Sequence, residues 1–229
     1  MKIVAGIPAF NEEKTIGKVI KETKKYVDKV IVVNDGSTDK TAIISEKEGA
    51  SVINHIINKG KGVALNKIFN RAKKLNADIL ILLDADGQHQ PKEIPSLIKP
   101  IVNNKADIVI GSRFMKNKNF IPFYRKIGLY ILTVVTNFLS KIKLTDSQSG
   151  FRAFSKKAID NLYFKERGLA VESEMQFLAK RNKLKIIEVP IITLYEDKAK
   201  RNPLSHGFGV LISIIKMKLR EKRGSGLAI

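Results

Sequence analysis

Ile79 to Leu83 is an unbroken apolar run that stops against Asp84-Ala85-Asp86-Gly87. A run that short, with no polar face, reads as a central strand buried on both sides, as in parallel sheets covered by helices. Ile3 to Ile7 and Val30 to Val33 repeat the pattern, and Ser51 to Ile56 and Asp107 to Ile110 are further strand candidates. Between them, apolar residues recur at helical spacing: Ile16, Val19, Ile20, Thr23 and Val27 form one face with lysines opposite. Helices are expected near Lys40 to Glu48, Val63 to Leu75 and Pro91 to Asn103, the last with proline in its first turn. The resulting βαβαβαβαβ order implies an α/β chain, a Rossmann-related and mainly parallel sheet with crossover helices. Such sheets bind ligands beyond the carboxyl ends of their strands, where this sequence collects its acids, amides and glycines.

Beyond Gly111 the rhythm changes. A long amphipathic stretch, Pro122 to Lys143, precedes the polar turn Thr145 to Gly150 and a strand at Phe151 to Phe154. A helix around Glu172 to Arg181, a strand from Lys185 to Leu194, a basic loop from Glu196 to Asn202 and an amphipathic C-terminal helix from Ser205 to Lys222 complete the expected order. The chain has no cysteine, which excludes disulfides, thiolate zinc sites and cysteine nucleophiles. Its longest mostly apolar stretch, Ile127 to Leu139, falls short of the roughly 20 residues a spanning helix needs, so no transmembrane segment is expected.

The acids at strand ends carry the chemistry. Asp84 and Asp86, spaced i, i+2 where a buried strand stops, can both reach one hard divalent cation, with Gln88 adding an oxygen. All-oxygen ligands favour magnesium or manganese over softer metals, and His89 reads as a hydrogen-bonded turn residue. Asp35 ends the second strand in Asn34-Asp35-Gly36-Ser37-Thr38-Asp39, where a carboxylate either accepts from a nucleobase or ribose or shapes the turn. Pro8, Phe10, Asn11 and Glu12 end the first strand in the same crevice. Asn58-Lys59-Gly60-Lys61-Gly62 suits either a phosphate cradle or a solvated loop before a helix, and it lacks P-loop spacing. Arg113 is placed to brace a phosphate through two parallel hydrogen bonds. Arg152, beside Ser149 and Gly150, either binds a second anion or pairs with Asp146. Glu172 and Glu174 open a helix, where the helix dipole alone accounts for acids, although Glu174 is a further candidate to face the site.

In order along the chain, Ile7-Pro8-Ala9-Phe10-Asn11-Glu12, Val33 to Asp39, Asp84-Ala85-Asp86-Gly87-Gln88-His89, Gly111-Ser112-Arg113 and Ser149-Gly150-Phe151-Arg152 resemble the family-2 inverting glycosyltransferases, and among them the polyprenol-phosphate (dolichyl-phosphate) mannosyl- and glucosyltransferases. The resemblance implies a GT-A-like fold, with a catalytic domain over 1–204 divided into a nucleotide half (about 1–113) and an acceptor half (about 114–204), then a C-terminal amphipathic helix and tail over 205–229. It implies nucleotide-sugar contacts at Pro8, Phe10, Glu12, Asp35, Ala85, Asp86, Gln88 and Arg113, Mg2+ or Mn2+ on Asp84, Asp86 and Gln88, and catalysis through Asp84, Asp86 and Arg113. An acceptor phosphate is expected at Ser149, Arg152, Lys200 and Arg201. Two departures stand out: Phe10 replaces a frequent tyrosine, and the family's late basic segment is matched only loosely by Lys198, Lys200, Arg201 and Ser205. Relatives often carry C-terminal membrane helices, which are not expected here.

The implied reaction moves a hexose from a nucleoside-diphosphate sugar, with a GDP or UDP base, to a polyprenyl (dolichyl) phosphate, with inversion. That acceptor is already an anion and needs no strong general base, and none is expected beside the acids. The obstacle is repulsion: two like unit charges about 4 Å apart cost about 1 kcal/mol in water and about 4 kcal/mol at an effective dielectric of 20. A formal charge of +20 fits partners that are polyanions. Phe120, Ile121, Phe123, Tyr124 and Ile127 to Leu139, flanked by Lys116, Lys118, Arg125, Lys126, Lys141 and Lys143, and the last helix suit an anionic membrane surface or an ordinary core-facing role with a solvated basic side. A peripheral position on the cytoplasmic face of a membrane is expected. The competing readings are a hydroxyl-acceptor relative using Asp146 or Glu174 as base, and a nucleic-acid-binding module. Aromatics at 7% and the absence of a single-strand stacking or helix-turn-helix signature argue for no nucleic-acid partner.

Overall fold

A computed structural model describes residues 1–115, 121–194 and 203–224, without the side chains of 203–206, 208 and 220–224. The chain runs β1 (Ile3–Ala9), α1 (Ile16–Thr23), β2 (Lys29–Asn34), α2 (Thr41–Lys47), β3 (Ser51–Asn54), α3 (Lys61–Lys74), β4 (Ile79–Leu82), a 3-10 turn (Pro91–Glu93), α4 (Ile94–Val102) and β5 (Ile108–Ser112). It continues through α5 (Phe123–Ser140), β6 (Arg152–Ser155), α6 (Lys156–Asn161), α7 (Val171–Arg181), β7 (Ile186–Pro190) and α8 (Pro203–Gly224). The strands form one sheet in the order β3-β2-β1-β4-β6-β5-β7. Every pairing is parallel except those of β6, which lies antiparallel between β4 and β5. The sheet therefore joins strands from both halves of the sequence and matches the expected α/β class.

Strand residues alternate between two cores, as the pleat requires. Val4, Ile31, Val33, Leu80, Leu82, Ile108 and Phe154 face α3, α6 and α7, while Ile7, Val30, Val32, Ile79, Ile81 and Val109 face α1 and α4. On the first side Phe69 meets Phe154 and Phe164 edge-on, each with ring centroids 5.1 Å apart. Each such buried side chain contributes about 1.5–3 kcal/mol over its exposed state, and aromatic pairing adds to that.

Several expected boundaries move, for local reasons. β1 extends past Ile7 because Pro8 and Ala9 still pair with Val33 and Asn34. α1 stops at Thr23, short of Val27, because Asp28 N already donates to Ile3 O and the chain is entering β2. The helix expected from Pro91 splits into a 3-10 turn and α4. β7 ends at Pro190, and the remainder of the expected strand keeps only a single bridge, Thr193 to His89. α6 was not anticipated; the Ser155 side chain caps it by accepting from Ala158 N at 3.3 Å. The expected basic loop at 196–202 lies outside the described residues.

Candidate active site

The ends of β1, β2, β4 and β5 deliver the expected residues to one edge of the sheet. At β1, Asn11 takes a left-handed φ of 53°. Its side-chain oxygen accepts from Thr38 N at 2.9 Å, and its own N–H donates to Ser37 Oγ at 2.9 Å. The turn after β2 is thereby fixed beside Pro8, Phe10 and Glu12. Phe10 is partly exposed, and the negative charge of Glu12 is felt at Asp86.

Asp35 is buried and its carboxylate already accepts from three donors. Oδ1 lies 2.7 Å from His55 Nδ1 and 2.9 Å from Lys59 N, and Oδ2 lies 2.9 Å from Gly60 N. A carboxylate offers about four acceptor positions, two on each oxygen, so only Oδ2 keeps room for one more donor. In this structure Asp35 is first of all the anchor of the 58–60 loop. That loop delivers Lys61, the first residue of α3, whose Nζ stands 2.6 Å from Asp84 Oδ1 and 2.7 Å from Glu172 Oε1. Gly62 is required here: a Cβ would run into the carbonyl of Glu166.

Asp84 and Asp86 follow β4 as expected, with Ala85 buried between them. Burial opposes ionisation of Asp84, but the Lys61 ammonium, with help from His89 and Arg113, holds its carboxyl down at about 2. Asp86 moves the other way: burial, and then the charge of Asp84, push its carboxyl above the usual range. Its Oδ1 accepts from the N–H of Gln88 at 3.0 Å, and Gln88 itself is half-buried beside it. The pair thus carries negative charge that the described side chains neutralise at Asp84 and leave crowded at Asp86. Two hard carboxylates in that state, with a neighbouring amide, suit a divalent cation such as Mg2+ or Mn2+. Among the described residues no third acid or histidine joins them to complete a protein-only cage, so the other ligands would be substrate or water oxygens.

His89 does stand at this cluster, contrary to the expectation that no base lies beside the acids. Burial lowers its pKa, and Nδ1 accepts from Asp84 N at 3.2 Å while the ring stacks on Phe151 at 5.1 Å. A neutral imidazole whose Nδ1 is occupied fixes the turn; it is not aimed at a substrate proton.

Arg113, at the end of β5, grips Asp146 through Nε at 2.6 Å and Nη2 at 2.7 Å. Its charge also reaches Asp84 and His89, so the expected basic group does border the acids. The partner of Asp146 is therefore Arg113, not Arg152. Arg152 is 1% exposed, with Nε on Ser149 O (2.7 Å), Nη2 on Ser147 O (2.8 Å), and Nη1 on Glu172 O (3.1 Å) and Met175 Sδ (3.2 Å). Ser149 is fully buried as well. The expectation that Ser149 and Arg152 bind an acceptor phosphate is thus corrected: carbonyl oxygens consume the guanidinium, which clasps the 147–150 turn to the start of α7. The other two expected phosphate contacts, Lys200 and Arg201, lie outside the described residues, as does Lys198. Glu174 also turns away, accepting from Lys165 N and Glu166 N at 2.9 Å each. The acid that reaches the site is Glu172. No local signal in the sequence singled out Glu172 or Lys61; every residue from Val171 to Ala179 is buried, and the packing of α7 brings Glu172 to the site.

No helix among the described residues is long and apolar enough to cross a membrane. α5 nevertheless exposes an apolar stripe, Phe123, Ile127, Tyr130, Val134 and Phe138, the last 80% exposed. α5 packs on α8 through Leu132, Val210 and Ile214, and α8 adds exposed Ile212, Ile215 and Leu219.

The chain is similar to known proteins in sequence and in fold. The family model described as Glycosyl transferase family 2 matches residues 5–163. A UDP-N-acetylglucosamine--dolichyl-phosphate N-acetylglucosaminyltransferase of Methanococcus voltae is 38% identical, over 93% of this chain and 94% of its own length. A dolichol-phosphate mannosyltransferase of Pyrococcus furiosus is 32% identical over 83% of this chain and 56% of its own length. Glucosyl-3-phosphoglycerate synthase from Mycobacterium tuberculosis, crystallised with Mn2+ and uridine-diphosphate-glucose, superposes with a TM-score of 0.73 at 24% identity, over 95% of this chain and 78% of that one. The last likeness establishes the GT-A architecture.

Proposed function

Because the chain belongs to glycosyl transferase family 2, we propose that it transfers a hexose or N-acetylhexosamine from a nucleoside-diphosphate sugar to a polyprenyl phosphate, with inversion. The observation that carries this reading is the paired carboxylates at the end of β4 together with the engagement elsewhere of Asp146 and Glu174, the two candidate bases among the described residues. Asp146 is locked in an ion pair and Glu174 is tied to two backbone amides, so neither is placed to deprotonate a hydroxyl acceptor. A lipid phosphate supplies its own nucleophilic oxygen and removes that need.

In this reading Asp84, Asp86 and Gln88 hold a Mg2+ or Mn2+ ion, which supplies charge neutralisation at the donor diphosphate. Pro8, Phe10, Glu12 and Asp35 line the nucleotide side, and Arg113, oriented by Asp146, presents a fixed positive charge toward the leaving phosphates. The acceptor phosphate is left to groups outside the described residues, with Lys200 and Arg201 as the candidates. The exposed stripe of α5 and the outer face of α8, rimmed by Lys126, Lys216 and Lys218, meet an anionic bilayer surface where the lipid acceptor resides. We assign it to the cytoplasmic leaflet, whose anionic lipids suit a basic rim.

The test is product analysis. Protein is incubated with polyprenyl phosphate, manganese and labelled UDP- or GDP-sugars, and the organic phase is assayed for a sugar-phosphate lipid. Label in an anionic, mild-acid-labile sugar-phosphate lipid supports the reading; label only in an uncharged glycolipid or another hydroxyl acceptor overturns it.

A further inference from the structure

Lys61 links two acids that the sequence separates widely. Its ammonium lies 2.6 Å from Asp84 Oδ1 and 2.7 Å from Glu172 Oε1, in a position where the side chain is only 18% exposed. The anchorage is deliberate in its extent: Asp35 fixes Gly60 N, Gly62 N donates to Arg167 O at 2.8 Å, and Gly62 abuts the Glu166 carbonyl. Glu172 is buried, and its second oxygen, Oε2, has no hydrogen-bond partner. A buried carboxylate oxygen left empty costs free energy that a second donor would recover. Burial alone would lower the Lys61 pKa, but Asp84 and Glu172 together raise it, so the group remains a cation.

We propose that Lys61 is a positioning residue, an internal counter-ion that holds Asp84 in the metal-free protein and yields it to a divalent cation by moving wholly onto Glu172, where Oε2 is the waiting acceptor. The inference rests on the assignment of a cation to Asp84 and Asp86 above. It makes Lys61 a competitor for Asp84 and makes Glu172 act on metal affinity only through Lys61.

Manganese alone, titrated against the full chain and followed by the electron paramagnetic resonance of free Mn2+, reads this without turnover. Lys61→Met removes the competitor and raises Mn2+ affinity, and Glu172→Gln removes the second landing place and lowers it, each by about fivefold or more, the ordinary scale of coupling between linked sites. Simple through-space charge effects share those signs, so the deciding comparison is the double variant. In the Lys61→Met background, Glu172→Gln is expected to have no further effect, because its route is gone. An equal loss in both backgrounds, or no change in either single variant, overturns the proposal. Should Lys61→Met fail to fold with Glu172 uncompensated, Lys61→Met/Glu172→Gln is compared with Glu172→Gln alone: tighter Mn2+ binding in the double variant supports competition, and unchanged or weaker binding contradicts it. Asp86→Asn separates the two levels of the account. If Asp86→Asn leaves Mn2+ binding unchanged, the cation assignment itself fails; if it abolishes binding while Lys61 and Glu172 prove silent, only the counter-ion role fails.

Discussion

Arg113 and Asp146 form a two-pronged ion pair at the end of β5, with Nε on Oδ2 at 2.6 Å and Nη2 on Oδ1 at 2.7 Å. The Arg113 main-chain N–H adds a third bond at 3.1 Å, and Glu188 holds Asp146 N from behind at 2.9 Å. Burial alone would raise the Asp146 pKa, but Arg113 overrides it and the carboxyl sits below its ordinary 3.8. A depressed carboxylate contributes stability that is fully present above the unfolded value and is lost as pH falls through the folded one. Thermal unfolding from pH 7 down to pH 2 should therefore show a loss at the acid end that Asp146→Asn diminishes. At neutral pH the same substitution should cost about 3–5 kcal/mol, the usual penalty for breaking a buried pair. A variant as stable as the parent at pH 7 would remove the pair from the account.

Gly150 lies against the Asp84 carboxylate so closely that a Cβ would overlap Oδ2. Gly150→Ala should shift Asp84 by a fraction of an ångström and lower turnover by about tenfold to a hundredfold, since small misplacements at a reacting centre are costly. The fold should tolerate it, because the displaced group is a side chain at the sheet edge. Circular dichroism melts beside turnover measurements check this, and full activity would show that Asp84 has slack.

Asp35 supports the site from behind, through Lys59 N and Gly60 N. Asp35→Asn replaces one acceptor oxygen by a donor that faces an N–H, leaving a buried amide unpaired at a cost of about 1–3 kcal/mol. Amide exchange at Lys59 and Gly60 should quicken markedly compared with the β4 strand. Protection unchanged at these two positions would mean the loop is held by something else.

The stripe on α5 predicts membrane binding separable from folding. Tyr130→Glu with Phe138→Glu places charges on residues that are 67% and 80% exposed, so stability should change by no more than about 0.5 kcal/mol. Co-sedimentation with anionic vesicles should fall severalfold and become less sensitive to salt. Binding at the parent level would detach this face from the bilayer.

The strands, most helices and the order of the site segments were legible because each buried strand is a short apolar run ending abruptly in polar residues, as at Leu83 and Asp84. Local signals also located Asp84, Asp86 and Arg113, whose positions follow from the strand ends. What the sequence hid depends on distant pairing. Asp146 has no feature that selects Arg113, 33 residues away, over nearby Arg152. Glu172 and Glu174 share a helix start, and only the packing of α7 turns one toward Lys61 and the other toward the 165–166 amides. Arg152 looked like an anion-binding surface residue because arginines rarely go inside; three backbone carbonyls make it an exception.

The most direct measurement is a crystal structure of the protein soaked with manganese and the nucleoside-diphosphate sugar that it turns over. The account predicts one ion bound by oxygens of both Asp84 and Asp86, bridging to the donor diphosphate, with Arg113 on the same side. An ion and diphosphate bound away from the end of β4 would contradict it.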